Sequence, residues 1–349
     1  MSKKITEQEV LNKLSKVLDP ELHKDLVSLG MVKNIHVSDN NDVEFTIELT
    51  TPACPLRNSI ESEAKRAVME IDGVNQVKVH ESARVVQNQK LKEKVDIDVK
   101  NIVAIASGKG GVGKSTVAVN LAIALADMGA KVGILDADIY GPNIPTMMGI
   151  RNIPNTENGK LIPAVAHGVK IMSIGFLVKP GQPLIWRGPL LHSAIRQFLT
   201  DVDWGELDYL IVDLPPGTGD VQLSLSQHIP VTCGVIVTTP QKVSLDDASR
   251  GIEMFNKLGI PIAGVIENMG PMVLADGSTL DVFGEGGGEQ MADAYNLPFM
   301  GRIALDPEIR KNGDFGTPII KQSPDSEPAK QFRNIACELA AFISKLNLL

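Results

Sequence analysis

Cysteines and long apolar stretches are scarce in this chain of 349 residues, and each scarcity excludes a class of protein. Three cysteines, far apart in the sequence, are too few for a disulfide framework, which favours a reducing compartment. No apolar run reaches the roughly 18 residues of a membrane span, and the amino terminus has no apolar signal core. We therefore expect a cytoplasmic protein that does not bind membranes.

Basic and aromatic residues are also few. Lys and Arg total 34 against 42 Asp and Glu, which gives a formal net charge of −8. Proteins bind the phosphate backbone of nucleic acids with clustered Lys and Arg. They bind single-stranded nucleic acids also by stacking aromatic side chains on the bases, and aromatic residues make up only 4% of this chain. The composition therefore disfavours nucleic acid as a partner.

The hydrophobic pattern, in which 43% of residues are hydrophobic, predicts two domains joined by a linker. Residues 1–85 mix short helical and strand patterns, which predicts a small α+β domain. Residues 86–98 are polar and lack a clear buried face, which predicts a linker. Residues 99–349 alternate Val- and Ile-rich runs with helical stretches, which predicts a mostly parallel sheet with helices on both faces. The chain ends in an amphipathic helix that we expect to close the core.

A complete phosphate-binding motif begins at residue 108. The stretch GKGGVGKS matches G-x-x-x-x-G-K-[ST], between a predicted strand and a predicted helix. Glycines in such a loop let backbone N–H groups converge on phosphate oxygens at a helix amino terminus. The residues expected to bind the nucleotide here are Gly108, Lys109, Gly110, Gly111, Val112, Gly113, Lys114, Ser115 and Thr116.

Two side chains of this loop have distinct expected roles. Lys114 would reach the β- and γ-phosphates of ATP, and the Ser115 hydroxyl would ligate Mg²⁺. We also expect the loop to be a surface feature that contributes no side chains to the core.

Aspartates follow two of the predicted buried strands. Asp213 ends the run YLIVD, and Asp136 and Asp138 lie in VGILDAD. A carboxylate at the carboxyl end of a parallel strand beside the loop can hold Mg²⁺ through water, which predicts that role for Asp213. One of Asp136 and Asp138 should orient the attacking water. A helix cap or turn former is the structural alternative for each aspartate.

The loop has a second lysine, and the form GKGGVGKST resembles the deviant Walker A motif of the ParA/MinD/Mrp class of P-loop NTPases. The resemblance implies an ATP-dependent homodimer in which Lys109 crosses to the partner's nucleotide and stabilises charge on its γ-phosphate. It also implies that Asp138 positions the water and that Asn268 reads the amide edge of adenine. A solvated surface lysine is the alternative for Lys109.

Longer stretches are similar to the Mrp/ApbC family of iron–sulfur cluster carriers. They cover nearly all of residues 99–349 and include LDADIYGPNIPTMMG, VTTPQKVSLDDASRGI, FGEGGGEQMA and LDPEIRKNGDFGTPII. In residues 1–85, DPELHKDLVSLGMV and TTPACPLRNSIESEAKRAV resemble the SufT/PaaD-type iron–sulfur assembly domain. Together the resemblances imply a slow ATPase that assembles clusters or transfers them to apo-protein clients, with Fe–S assembly proteins as further partners.

One segment departs from that family. Typical members carry a Cys-x-x-Cys pair by which two chains hold a bridging [4Fe–4S] cluster, but Leu274 and Gly277 stand at these positions here. The pair therefore supplies no thiolate. The assembly-domain resemblance places a reactive cysteine at Cys54, which makes it the candidate ligand of a labile [4Fe–4S] cluster; a buried structural cysteine is the alternative. Cys233 and Cys337 are predicted to be structural.

Two other functions share parts of this pattern. A positioning ATPase of the ParA/MinD kind would act on DNA or a membrane, and the acidic charge, the weakly basic last helix and the first domain argue against it. In a cluster-free adaptor, nucleotide state would only regulate the docking of Fe–S assembly partners.

Overall fold

The computed structural model describes residues 4–348 except positions 21, 90, 92–96, 139–140, 152–153, 158, 178–187, 218–221, 223–228 and 275, and for residues 188–192 it describes the backbone alone. The chain forms two compact units: Met1–Val86 with Ala340–Leu349, and Gln87–Leu339. Part of the predicted linker, at positions 90 and 92–96, lies outside the described residues. Leu91, between these positions, is buried in the core of the second unit.

The first unit packs two helices against a three-stranded sheet of order β1–β2–β3. Its first helix is capped at the amino terminus by Thr6, whose side chain forms a reciprocal capping box with Glu9. Alternate residues of the central strand are buried, as the period of two along a strand requires when one face meets the core. In chain order the elements are α1 (Glu7–Leu14), β1 (Val32–Val37), β2 (Val43–Leu49), α2 (Arg57–Met69) and β3 (Val77–Ala83).

The second unit is built on an eight-stranded sheet accompanied by helices, a short 3-10 helix at Ile174–Leu177 and two short hairpins. Its elements in chain order are β4 (Val99–Ala106), α3 (Lys114–Asp127), β5 (Val132–Asp136), α4 (Ile144–Met147), β6 (Thr156–Glu157), β7 (Lys160–Leu161), β8 (Ala164–Ala166), β9 (Val169–Ser173), α5 (Gly188–Thr200), β10 (Leu207–Asp213), β11 (Cys233–Thr238), α6 (Lys242–Lys257), β12 (Ile262–Gly270), β13 (Met272–Val273), β14 (Thr279–Leu280), α7 (Gly287–Ala294), β15 (Phe299–Ala304), α8 (Pro307–Asp314), α9 (Ile319–Gln322) and α10 (Glu327–Leu348).

The strand order of the large sheet is β15–β12–β11–β4–β10–β5–β9–β8, and all neighbours are parallel except β8 and β9. Strands β10 and β11 are buried at every residue, so both faces of the sheet centre are covered. This confirms the predicted mostly parallel α/β domain preceded by a small α+β domain. Parallel strands place their carboxyl ends on one edge, and the predicted nucleotide-site residues lie at or just beyond the carboxyl ends of β4, β5, β10 and β12 at that edge.

The last helix, α10, carries the apolar stripe expected of a helix that closes a core. Phe332, Ala336, Leu339 and Ile343 on that stripe are all buried. Near its end, the Asn347 side-chain nitrogen donates to the carbonyl of Val86 at 3.0 Å, within the first unit. None of the described helices combines the length and hydrophobicity that a membrane span requires.

Candidate functional site

The phosphate loop connects β4 to the amino terminus of α3. Gly111 and Gly113 have φ angles of +83° and +82°, a left-handed conformation that residues with a side chain rarely adopt. Gly113 is the residue before the first turn of α3, so the loop curls directly into the unpaired N–H groups of that helix. This local backbone is the phosphate cradle that the spacing of the glycines predicts.

Neighbouring elements hold the loop on two sides. A Cβ added to Gly108 would lie 2.1 Å from the backbone of Asp247 in α6. A Cβ added to Gly113 would lie 2.2 Å from the side-chain nitrogen of Asn268, which donates to the Val112 carbonyl at 2.8 Å. Glycine is therefore required at residue 108 by the close approach of the Asp247 backbone. At residue 113 it is required by the backbone angle, and a side chain there would also displace Asn268.

The expectation that the loop has no core side chains is wrong. Val112 is 1% exposed and Lys114 is 5% exposed. The loop is enclosed because α6 and β12 contact it from outside, and these contacts were not visible in the local sequence.

Four predicted side chains meet at the base of the loop. The Lys114 Nζ lies 2.6 Å from Oδ1 of Asp213 and 3.6 Å from Oδ2 of Asp138. The Ser115 hydroxyl donates to Oδ2 of Asp213 at 2.6 Å. Lys114 and Asp213 are 99 residues apart in the chain, and they meet because β10 is the sheet neighbour of β4.

This donor set fits a magnesium ion that is shared with phosphate. A hydroxyl oxygen and a carboxylate oxygen side by side, from Ser115 and Asp213, are hard ligands of the kind that Mg²⁺ prefers. The described residues contain no group of three or more His, Cys, Asp or Glu able to hold a metal ion by themselves. Mg²⁺ in proteins is commonly held by one or two carboxylates, and its coordination is completed by water and substrate phosphates.

Asp136 and Asp138 differ in environment. Asp136 is fully buried, accepts hydrogen bonds from the Ser173 hydroxyl at 2.7 Å and from the Asp138 amide at 3.2 Å, and does not line the phosphate cavity. Burial, with the negative charge of Asp213 added, raises the pKa of Asp136 to about 8. Asp136 therefore orders the turn, and its protonated form is favoured over that of an ordinary aspartate. Asp138 lines the cavity, and one of its oxygens also accepts from the Gly141 amide at 3.3 Å.

Two adjoining cavities extend from the loop. The first, of about 320 Å³, is lined by the predicted phosphate-binding residues except Gly108 and Val112, which brace the loop instead, and by Asp138. The second, of about 380 Å³, contains Asn268 and shares several lining residues with the first. The shared residues are Gly113, Thr116, Asn143 and Met147.

The lining of the second cavity combines apolar side chains such as Met147, Leu305 and Ile309 with polar and charged ones, a mixture that suits a nucleobase and its sugar. Apart from Gly113, Thr116 and Asn268, its residues were not predicted, since they come from separate elements around α4, β12, β15 and α8 and share no motif. Most of them lie in LDADIYGPNIPTMMG and LDPEIRKNGDFGTPII, whose similarity to the Mrp/ApbC family was the available signal. The missed residues are Asn143, Thr146, Met147, Met269, Ala304, Leu305, Asp306, Ile309, Arg310, Gly313 and Asp314.

Lys109 is one of the residues that line the first cavity. It is half-buried, and its side chain forms no hydrogen bond or ion pair with any residue in the described part of the chain. The contrast with Lys114, which is buried between two carboxylates, shows that the two lysines of the loop are held in different ways.

The cysteines are dispersed. Cys54 is half-buried in the first unit, just before α2, and Cys337 is half-buried beside Met128 in the second. Cys233 is buried within β11, and burial raises the pKa of its thiol, which confirms its predicted core position. Leu274 and Gly277, at the positions of the missing thiolate pair, form the turn between β13 and β14, where the Gly277 amide donates to the Leu274 carbonyl at 2.9 Å.

Comparison with known proteins covers both units. The family of NUBPL iron-transfer P-loop NTPases matches residues 98–340, and the family of iron-sulfur cluster assembly proteins matches residues 7–80. The iron-sulfur cluster carrier protein of Synechocystis is 49% identical over 348 residues, which cover 97% of this chain and 98% of that protein. The carrier protein of Deinococcus radiodurans is 50% identical over 338 residues, which cover 96% and 95%. A nucleotide-binding protein from Archaeoglobus fulgidus, solved in complex with ADP, is 36% identical with a TM-score of 0.60, covering 70% of this chain and 96% of its own.

Proposed function

The chain belongs to the family of NUBPL iron-transfer P-loop NTPases, and from this premise we propose that it is a homodimeric ATPase that carries iron–sulfur clusters to apo-proteins. The observation that carries the proposal is the meeting of Lys114, Ser115, Asp138 and Asp213 at one end of the sheet. In this proposal residues 1–85 are the Fe–S assembly domain, residues 86–98 the linker and residues 99–349 the ATPase domain.

The phosphate end of the site has the groups that hydrolysis of ATP requires. Backbone amides of residues 108–116 would bind the phosphates, and Lys114 would exchange its contact with Asp213 for the β- and γ-phosphates. Ser115 and Asp213 would then hold Mg²⁺, which when bound neutralises charge on these phosphates. Asp138 would accept a hydrogen bond from the attacking water and hold it in line with the γ-phosphorus.

Lys109 is the group proposed to act in the partner's site. Its side chain has no partner among the described residues, lines the phosphate cavity and is only half-buried, so it would be available to a second chain. A cation brought to the γ-phosphate from another chain stabilises the charge of the transition state, as an arginine finger does. Hydrolysis would then depend on dimerisation and would be slow in the isolated chain.

Asn268 is proposed to recognise the base. Its described hydrogen bond uses only the amide nitrogen, which donates to Val112 at 2.8 Å. The amide oxygen is an acceptor suited to the 6-amino group of adenine, whereas guanine and hypoxanthine present a carbonyl there. This chemistry favours ATP over GTP or ITP as the substrate.

The cluster is proposed as cargo that is bound weakly. A [4Fe–4S] cluster takes four thiolates, and Cys54 from each chain of a dimer supplies two. The remaining ligands would come from glutathione or from cysteines of the client, so the cluster would be labile and easily transferred. The half-exposure of Cys54 supports this role, whereas the buried Cys233 is unsuited to it.

Anaerobic reconstitution with iron and sulfide tests this proposal. Iron per dimer and the visible absorbance of the cluster are measured for the unmodified protein, for Cys54→Ser and for the matched control Cys233→Ser. We expect iron to fall sharply in Cys54→Ser and to change little in Cys233→Ser. Equal iron in the unmodified protein and Cys54→Ser would remove Cys54 from the mechanism. No iron in any of the three would favour the cluster-free adaptor.

A further inference from the structure

A buried carboxylate lies one residue before the proposed base-reading side chain. Glu267 in β12 is fully buried. Its Oε2 accepts from the Gly288 amide at 2.7 Å, and its Oε1 accepts from the Gly286 amide at 3.2 Å and from Nε of Arg302 at 2.5 Å. A buried charge with three donors is held in a single position, because moving it would leave it unpaired away from water.

Arg302 connects this carboxylate to the end of β12. It faces Glu267 across the β12–β15 pair, and its guanidinium also contacts the exposed Glu285 at 2.8 Å. Its aliphatic part lies on Gly270, where an added Cβ would be 2.7 Å from both Cγ and Cδ of Arg302. One side chain therefore fixes β12 at residue 267 and at residue 270.

The two residues between these fixed points form a bulge. Asn268 pairs with Ile303 and Gly270 pairs with Ala304, so Met269 is an extra residue in β12. Met269 has a φ of +60°, a costly conformation for a residue with a side chain, which persists only where the surroundings impose it. The bulge allows two successive residues, Asn268 and Met269, to line the same cavity of about 380 Å³.

We propose that Glu267 and Arg302 are positioning residues that hold the Asn268–Met269 bulge and thereby set the base selectivity of the nucleotide site. The proposal rests on the proposed function, because it requires Asn268 to read adenine. Glu267 and Arg302 do not line the cavity, so they act on the base only through the bulge. Without the pair, the bulge would relax, and the Asn268 amide would lose its alignment with the 6-amino group.

The test compares the affinities of the full-length protein for ATP, ITP and inorganic triphosphate by calorimetry. ITP carries a carbonyl in place of the 6-amino group, and triphosphate occupies only the phosphate end. The variants are Glu267→Gln, which keeps the shape of the side chain, and Arg302→Met, which keeps the apolar part on Gly270. Glu285→Gln is the matched control, because it removes one of the two exposed ion pairs of Arg302, with Glu285 and Glu289, and leaves the buried pair with Glu267 in place.

We expect Glu267→Gln and Arg302→Met to lower the ATP-to-ITP affinity ratio about fivefold to tenfold, the value of one lost hydrogen bond, with triphosphate affinity unchanged. Arg302→Lys keeps a positive charge beside Glu267, so it should retain more of the ATP-to-ITP affinity ratio than Arg302→Met. The comparison of these two variants also tests the proposal if Glu267→Gln does not fold. Glu285→Gln should keep the full ratio. In an Asn268→Ala background, Glu267→Gln should change the ratio no further.

Equal weakening of ATP and ITP in Glu267→Gln would overturn the proposal, since it would indicate a structural role alone. An unchanged ratio in Glu267→Gln and Arg302→Met would overturn it too, and would leave the role of Asn268 intact if Asn268→Ala lowers the ratio. If Asn268→Ala leaves the ratio unchanged, the proposed base recognition fails and the positioning role fails with it.

Discussion

The phosphate end and the proposed base end of the candidate nucleotide site are built in different ways. The phosphate end is one contiguous loop, residues 108–116, completed by aspartates at the ends of β5 and β10. The base end is lined from separate segments between Gly113 and Asp314, and a β-bulge aims two of its residues. Phosphate charge is met by a local arrangement of amides and cations, whereas a base is recognised by a shape that only distant segments can form together.

The largest expected effect is at the phosphate end. Lys114→Ala should lower ATP turnover by about a thousandfold or more, because the charge that neutralises the transferred phosphoryl group is lost. Phosphate release by the purified variant measures this. Lys114 is also the buried partner of Asp213, so we expect a lower melting temperature. Turnover within about twofold of the unmodified protein would contradict the assignment.

Lys109→Ala should also strongly reduce turnover, but without the loss of stability, because Lys109 has no partner among the described residues. If Lys109 acts in the partner's site, dimers that contain one variant subunit should be impaired. Mixtures of the variant with the unmodified protein should then have less activity than the fraction of unmodified protein alone would give. Turnover is measured across mixing ratios after exchange of subunits. Activity proportional to the unmodified fraction would mean that Lys109 acts in its own chain or not at all.

A smaller effect is expected at the base end. Asn268→Ala should raise KM for ATP about tenfold with kcat within about twofold, because a hydrogen bond to the base acts equally in the ground state and the transition state. Steady-state kinetics with ATP provides the measurement. A fall in kcat comparable with that of Lys114→Ala would abolish the distinction between the two ends.

The smallest expected effect is that of Asp136→Asn, within about threefold on turnover at pH 7. The pKa of Asp136 is raised to about 8 by burial and by Asp213, so the amide resembles the protonated carboxyl. A raised folded-state pKa gives stability that is lost as the pH rises from about 4 through 8. Without nucleotide and Mg²⁺, the melting temperature of the unmodified protein should therefore fall relative to Asp136→Asn between pH 6 and pH 9. Parallel melting curves would contradict this.

Much of the fold and of the phosphate end could be predicted from the sequence. The apolar runs of β4, β10 and β11 indicated a parallel sheet, and the glycine spacing around Lys114 indicated the loop between a strand and a helix. The resemblance to iron–sulfur cluster carriers is confirmed by the family matches over both units. The prediction about the loop surface was wrong because α6 and β12 enclose it, and enclosure by distant segments leaves no local pattern.

The sequence by itself determined the chemistry of the phosphate site. The loop glycines, the two lysines and Ser115 are close along the chain, so their spacing in the sequence largely sets their relative positions in space. The sequence also determined that the family's thiolate pair is absent. Leu274 and Gly277 stand at its two positions, and folding cannot change which residues these are. Only the tertiary structure decided that Asp136 is a buried carboxyl with a raised pKa, because that pKa depends on exclusion of water and on the charge of Asp213. The Glu267–Arg302 pair and its bulge were likewise decided there, because their register exists only once β12 and β15 lie side by side.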